Sequence, residues 1–337
     1  MFEFDIVSGT VAREVIAESR REISQVVRAA YLAHESGETV NPNSYFLRFP
    51  DKPSARIIAL PARLGGEHDV AGIKWIASFP ENVERNVPRA SAVLLLNDYA
   101  TGYPFACLEA SQISAARTAA SCVLGAAALH GSTRAARVAV VGAGVIARTI
   151  LDFFAAERWD IGAFTVYDRV PGYADRLARH SRETLGTPAT VADSLAGAVR
   201  GADLVVLATT AAAPHLTDPG LLSPGQTVLN ISLRDISPEI ILASHNVVDD
   251  IDHCLTADTS PHLAEQACGH REFICGTLAQ VLLDKVRFDD DRPRILSPFG
   301  LGVLDLAVGS HVYRRAVESG RTTSIDGFFG ETERWGS

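Results

Sequence analysis

Lysine is almost missing from this chain: of the 31 basic residues among 337, only Lys52, Lys74 and Lys285 are lysines. A basic excess is missing too, since the formal net charge is -9 and the isoelectric point near 5.6. That balance argues against a nucleic-acid partner, which needs a concentrated basic face, and leaves a small molecule as the default ligand. Long apolar runs are absent. Arg and Asp interrupt every such stretch before it could span a bilayer, so no membrane partner is expected. Met1 to Thr10 carries acids and a short alternating apolar pattern where a secretory leader would need a basic start and an apolar core. The five cysteines (Cys107, Cys122, Cys254, Cys268, Cys275) form no Cys-x-x-Cys pair and are odd in number, which points to reduced thiols in a cytoplasmic protein. Asp249, Asp250, Asp252, His253 and Cys254, followed by His262, Cys268, His270 and Cys275, are metal-ligand types in spacings that match no zinc pattern. They read as a polar loop, and no metal is expected.

Hydrophobic residues at 47% and charged residues at 21% describe an ordinary soluble globular protein, long enough for two domains. Glu14 to Ser36 has helical apolar spacing and ends at Gly37. Arg56 to Pro61, Val70 to Ser78 and Ala92 to Asn97 read as strands of an antiparallel or mixed sheet. The Ala-rich stretch Ile113 to His130 reads as a helix leading out of this first domain. Thereafter strands at Arg137 to Val141, Ala163 to Tyr167, Asp203 to Ala208, Thr227 to Ile231 and Asn246 to Asp250 alternate with helices, as in a doubly wound parallel sheet. From Gly300 onward an amphipathic helix through Val303, Leu304, Leu306, Ala307, Val308 and Val312 is expected to pack back on the first domain.

The segment Gly142-Ala143-Gly144-Val145-Ile146-Ala147 lies between a strand and a helix, the context in which a glycine turn holds a dinucleotide. Gly142 permits the turn, Gly144 lets the pyrophosphate approach the backbone, and Ala147 stands where a third glycine would let helix and sheet pack. The phosphates would sit on the free N–H groups of the helix terminus, with Val145 and Ile146 in its first turn. Asp168 closes the next strand, placed for the ribose hydroxyls, and a carboxylate there repels the extra phosphate of NADP, so NAD is expected. Arg169 complicates that preference. Thr209 and Thr210, at the end of a further parallel strand, are additional cofactor contacts.

Lys74 lies in Gly72-Ile73-Lys74-Trp75-Ile76, where apolar neighbours would lower its pKa toward the range of an acid–base catalyst; a strand lysine pointing outward is the equally simple reading. Arg56 and Arg117 sit among small or apolar residues. Each offers a planar fork for a substrate carboxylate, or a structural ion pair.

Arg56, Gly72-Ile73-Lys74, Thr101-Gly102, Arg117-Thr118-Ala119-Ala120, the glycine turn and Gly300-Leu301-Gly302-Val303-Leu304-Asp305 together resemble the ornithine cyclodeaminase/mu-crystallin family over nearly the whole chain. Asn41 to Pro50, Gly72 to Pro80 and Pro88 to Ala92 resemble one branch, the dehydrogenases of N-(2-amino-2-carboxyethyl)-L-glutamate that supply L-2,3-diaminopropionate for siderophores and peptide antibiotics. The resemblance implies an α/β fold with a Rossmann domain (119–299) inserted in an α+β substrate-binding and dimerisation domain (1–118 plus 300–337), and a homodimer. It further implies Lys74 and Asp305 as catalytic groups, Arg56 and Arg117 as carboxylate anchors, and Arg48 and Arg89 as anchors particular to the branch. Thr118, Ser91 and Leu233 would be further cofactor contacts. Ornithine cyclodeaminases carry a catalytic Asp where Leu233 stands here, which argues against ornithine cyclisation; Asp235 could replace it only through a shifted loop. The implied substrate is an amino-acid adduct. Other readings are an imine reductase or amino-acid dehydrogenase of the same family, and a non-catalytic dinucleotide carrier.

Overall fold

The computed structural model describes residues 2–66 and 69–335. Met1, at the head of the amino-terminal segment, and the last two residues of the expected first domain lie outside the described residues. The chain divides into two compact units, Met1–Arg117 with Leu301–Ser337, and Thr118–Gly300.

The first unit begins with β1 (Asp5–Val7), α1 (Gly9–Glu18) and α2 (Arg20–Glu35). The periodicity predicts one helix from Glu14; instead two helices meet at Ser19. Ser8 caps α1 by accepting from the Val11 N–H, and the Ser19 hydroxyl turns back to the Val15 carbonyl at 2.6 Å, ending it. Strands β2 (Thr39–Val40), β3 (Tyr45–Phe49), β4 (Lys52–Leu64), β5 (Val70–Ser78), β6 (Ala90–Asp98) and β7 (Pro104–Glu109) follow, and α3 (Ser111–His130) contains the unit boundary.

In the second unit the order is β8 (Arg134–Val141), α4 (Val145–Ala156), β9 (Asp160–Tyr167), α5 (Pro171–Thr184), β10 (Ala189–Val191), α6 (Leu195–Val199), β11 (Leu204–Leu207) and β12 (Thr227–Asn230). Then come α7 (Pro238–Leu242), β13 (His245–Val248), α8 (Ile251–Cys254), α9 (Ser260–Cys268), β14 (Ile274–Thr277), α10 (Leu278–Leu282) and β15 (Arg294–Ser297). All eight strands pair parallel, in the order β10-β9-β8-β11-β12-β15-β13-β14. The order reverses between β8 and β11, so the carboxyl ends of those strands form the crevice where doubly wound sheets take their ligands. Strands β11, β12 and β13 are buried at every position; β11 reads as a continuous apolar run, while β12 and β13 also bury Thr227, Asn230, His245 and Asn246.

The chain returns to the first unit with α11 (Gly302–Glu318) and β16 (Thr323–Ser324). That unit's sheet runs β16-β1-β7-β6-β5-β4-β2, with β3 also on β4; only β1–β7 is parallel. Helix α11 is not amphipathic in its first half: every residue from Gly302 to Gly309 is buried. It runs between the sheet face of β4 to β6 on one side and α1 and α2 on the other, so both of its sides are covered. Gly309 permits the close approach, since a Cβ there would stand 2.1 Å from Leu94 Cδ2.

Candidate active site

Side chains alternate across a strand, and the ladder pairs Lys74 with Leu60 and Leu94 and pairs Ser78 with Arg56 and Ala90. Lys74, Arg56 and Ser78 therefore share the sheet face on which α11 lies. Lys74 is 1% exposed. Its Nζ donates to Asp305 Oδ2 at 2.6 Å and to Ser114 Oγ at 3.3 Å. Arg117 Nε donates to the other Asp305 oxygen at 3.3 Å. A strand, α3 and α11 thus bring two cations to one fully buried carboxylate. Burial pushes the Lys74 ammonium down to about 8; Asp305 pulls against that change and Arg117 adds to it. The outward-pointing reading of Lys74 is excluded. Ser114 escaped the sequence reading, although its place three residues before Arg117 on a helix was the available signal.

Farther along the same face, Arg48 stands directly opposite Arg56 in the β3–β4 ladder, and Arg56 opposite Ser78. Arg89 Nη1 donates to Ser78 Oγ at 2.7 Å, and burial draws the Arg89 guanidinium below its ordinary range. Arg48 is exposed, its guanidinium 5.1 Å from the centre of the Phe46 ring. Ser91 pairs with Ala77, on the opposite face, so it is not brought to this centre. Its face is apolar and open. Tyr45, Leu47, Trp75 and Val93 on it are 68%, 46%, 41% and 42% exposed.

In the second unit, Gly142 has φ +90°, and a Cβ there would lie 2.5 Å from the Ala208 carbonyl oxygen. Only glycine fits. Gly144 caps α4 without a side-chain bond, and a Cβ added to it meets nothing within 4 Å. The turn therefore presents open space and uncapped N–H groups together, as a pyrophosphate requires. Val145 is exposed and Ile146 half-buried beside it, while Ala147 is fully buried under the helix. Asp168 accepts from the Ala143 N–H through Oδ2 and from the Val170 N–H through Oδ1, both at 2.8 Å. This ties the end of β9 to the glycine turn and leaves further lone pairs for a ribose. Arg169 is exposed. Thr118 is half-buried on α3.

Thr210 is exposed beyond β11, and Leu233 half-buried beyond β12. Thr209 does not present a free hydroxyl: it donates to Asp235 at 2.8 Å and accepts from the Ala211 N–H at 3.1 Å. Asp235 is completely buried and turned under its loop, the reverse of what replacing a catalytic acid at position 233 would need. Sequence reasoning gave the 249–275 stretch as a polar loop, whereas it holds α8, α9 and the start of β14. Asp249 is buried, accepting from the N–H groups of Asp250, Phe299 and Gly300, and burial raises its carboxyl above the usual range. Among the described residues, no three His, Cys, Asp or Glu side chains gather to hold a metal.

The profile of the ornithine cyclodeaminase/mu-crystallin family matches residues 9–320. N-((2S)-2-amino-2-carboxyethyl)-L-glutamate dehydrogenase of Staphylococcus aureus is 30% identical over 93% of this chain and 99% of its own. Among solved structures, Delta(1)-pyrroline-2-carboxylate reductase of Thermococcus litoralis, in complex with NADH and L-proline, superposes with a TM-score of 0.87 at 24% identity. The match covers 96% of this chain and 100% of the other. An archaeal alanine dehydrogenase dimer with bound NAD gives 0.85 at 24% identity, over 97% and 100%.

Proposed function

Because this chain belongs to the ornithine cyclodeaminase/mu-crystallin family, we propose that it is an NAD-dependent oxidoreductase acting on the secondary amine of N-(2-amino-2-carboxyethyl)-L-glutamate. The observation that carries this reading is the concentration of cations on one sheet face. Arg48, Arg56 and Arg89 line its end, and Lys74 and Arg117 share the single carboxylate of Asp305. A substrate with three carboxylates needs a charged partner for each one it desolvates, since an unpaired buried charge costs several kcal/mol. A simple amino acid needs only one.

NAD, when bound, would supply the hydride acceptor that oxidation of the secondary amine to an imine at the glutamate α carbon requires. Gly142 and Gly144 admit its pyrophosphate, Asp168 receives the ribose hydroxyls, and Thr210 and Leu233 flank the other half of the crevice. Lys74 exchanges a proton at Nζ while water adds to the imine carbon and the C–N bond breaks, and Asp305 holds that Nζ in place. Arg56, Arg117, Arg89 and Arg48 hold the carboxylates. The balance is substrate, NAD+ and water giving L-2,3-diaminopropionate, 2-oxoglutarate, NADH and a proton; the diaminopropionate would serve siderophore or peptide-antibiotic assembly. The test is to supply NAD+ and the adduct, follow reduced-nicotinamide absorbance and identify both products by mass spectrometry. Turnover of alanine or a cyclic imino acid with none of the adduct would replace this reading with that of an amino-acid dehydrogenase or imine reductase.

The protein works as a homodimer in this proposal, with the open apolar face of β3 to β6 covered by its copy. Contiguous exposed apolar surface of this kind marks an interface, and the archaeal relative is a dimer. Trp75→Glu is expected to weaken dimerisation about a hundredfold, read as the mass in solution by light scattering. A variant that stays dimeric would move the interface elsewhere.

A further inference from the structure

The loops that follow β11 and β12 meet on one carboxylate. Both oxygens of Asp235 lie 2.8 Å from Thr209 Oγ1, Oδ2 also accepts from Ser232 Oγ at 2.5 Å, and His215 Nε2 stands 3.3 Å from that oxygen. The Asp235 carbonyl accepts the N–H groups of His215 and Leu216 at 3.0 and 2.9 Å, and a parallel bridge pairs Leu216 with Ile236. Three side chains and two backbone donors from two loops thus converge on a single residue. Asp235 itself is 0% exposed, whereas the His215 side chain keeps 33% of its surface. Packing alone could be met by an apolar residue, because a carboxylate is costly to bury. What a carboxylate adds is direction. It fixes the hydroxyl rotamers of Thr209 and Ser232, and it joins the loops into one body.

We infer that Asp235 is a positioning residue for the nicotinamide half of the cofactor site. The inference rests on the dinucleotide reading above. A doubly wound sheet holds the two mononucleotides of NAD on its two halves. Gly142, Gly144 and Asp168 belong to the half built on β8 to β10, which receives the adenosine side. The clamped loops belong to the half built on β11 and β12. Thr209 acts through the clamp and not through its own hydroxyl, whose proton is already given to Asp235. The surfaces it sets are those of Thr210, Leu233 and the outer edge of His215.

The two halves can be probed separately with ADP and NADH. Asp235→Asn keeps the volume but turns one acceptor into a donor facing donors. It is expected to weaken NADH about tenfold, the worth of one charge-assisted hydrogen bond, and to reduce the fluorescence enhancement of bound NADH. ADP affinity should stay within about twofold. Thr209→Val should reproduce part of the loss and Thr209→Ser should restore it; the Thr209 pair keeps the test open if Asp235→Asn fails to fold. Equal weakening of ADP and NADH, or no change in either, overturns the inference, since a merely structural carboxylate would affect both alike. If the unaltered protein bound neither probe, the dinucleotide reading itself would fall.

Discussion

The two units make their sites from opposite materials. In the first, the proposed site rests on buried charge: Lys74 from a central strand, Ser114 and Arg117 from α3 and Asp305 from α11, gathered from across the chain. In the second, the turn after β8 offers backbone N–H groups and open space from a few consecutive residues, with Asp168 only 25 positions from its partner Ala143. A site of buried charges is held by its own members, so removing one disturbs both stability and chemistry. A site of backbone donors separates the two, because the glycine that permits the fold and the glycine that admits the ligand are different residues.

The largest break in that comparison is expected from Asp305→Ala. It removes the carboxylate that pairs with the buried Lys74 ammonium, a loss of about 3 to 5 kcal/mol, and it should lower kcat/KM about a thousandfold. Urea denaturation and initial-rate assays on one preparation measure both. A variant that lost activity at unchanged stability would deny that the centre supports itself.

Next in size is the contrast between two glycines. Gly142→Ala forces a Cβ against the Ala208 carbonyl in a left-handed conformation, and should cost about 2 to 4 kcal/mol. Gly144→Ala meets no atom and should change stability by no more than about 1 kcal/mol. It is nevertheless expected to weaken NADH about tenfold by filling the pyrophosphate approach. Melting curves and NADH titration separate these outcomes; equal effects from both glycines would erase the distinction between folding and binding positions.

A further break is expected from pH, acting through Lys74. Its pKa falls from 10.5 to about 8 on folding, so between those values the unfolded chain binds more protons and stability rises with pH. Below about 8 the full penalty of burying the ammonium remains. The denaturation midpoint of the unaltered protein should therefore climb across this window, after subtraction of the same curve for Lys74→Met. The kcat/KM profile should also bend near pH 8, and Lys74→Arg should remove the bend. A flat profile would place Lys74 outside the chemistry.

Legibility in the sequence follows the same division. The strand, glycine turn, helix and acid of the dinucleotide edge are local, and their residues announce the backbone they need. The long strands β4 to β6 were legible by apolar alternation, and α3 by its alanines. The helix break at Ser19 was not, because a hydroxyl returning to its own helix leaves the apolar period intact. Nor was the burial of α11, since periodicity records one apolar face and cannot register that a second layer covers the other.

The sequence by itself determined the alternating fold, the glycine turn with its acid, and the family, because each is written in residues near one another or in motifs kept together. Only the tertiary structure decided where the scarce lysine points and what it pairs with. Lys74 could equally have faced water. Strand register set its direction, α11 brought Asp305 from 231 positions away, and the exclusion of water between them pushed its pKa down toward neutral. The same holds for Asp235, whose distance from position 233 is two residues in sequence but whose carboxylate is turned inward to join two loops. Direction and dielectric are properties of the packed molecule, and no spacing of letters encodes them.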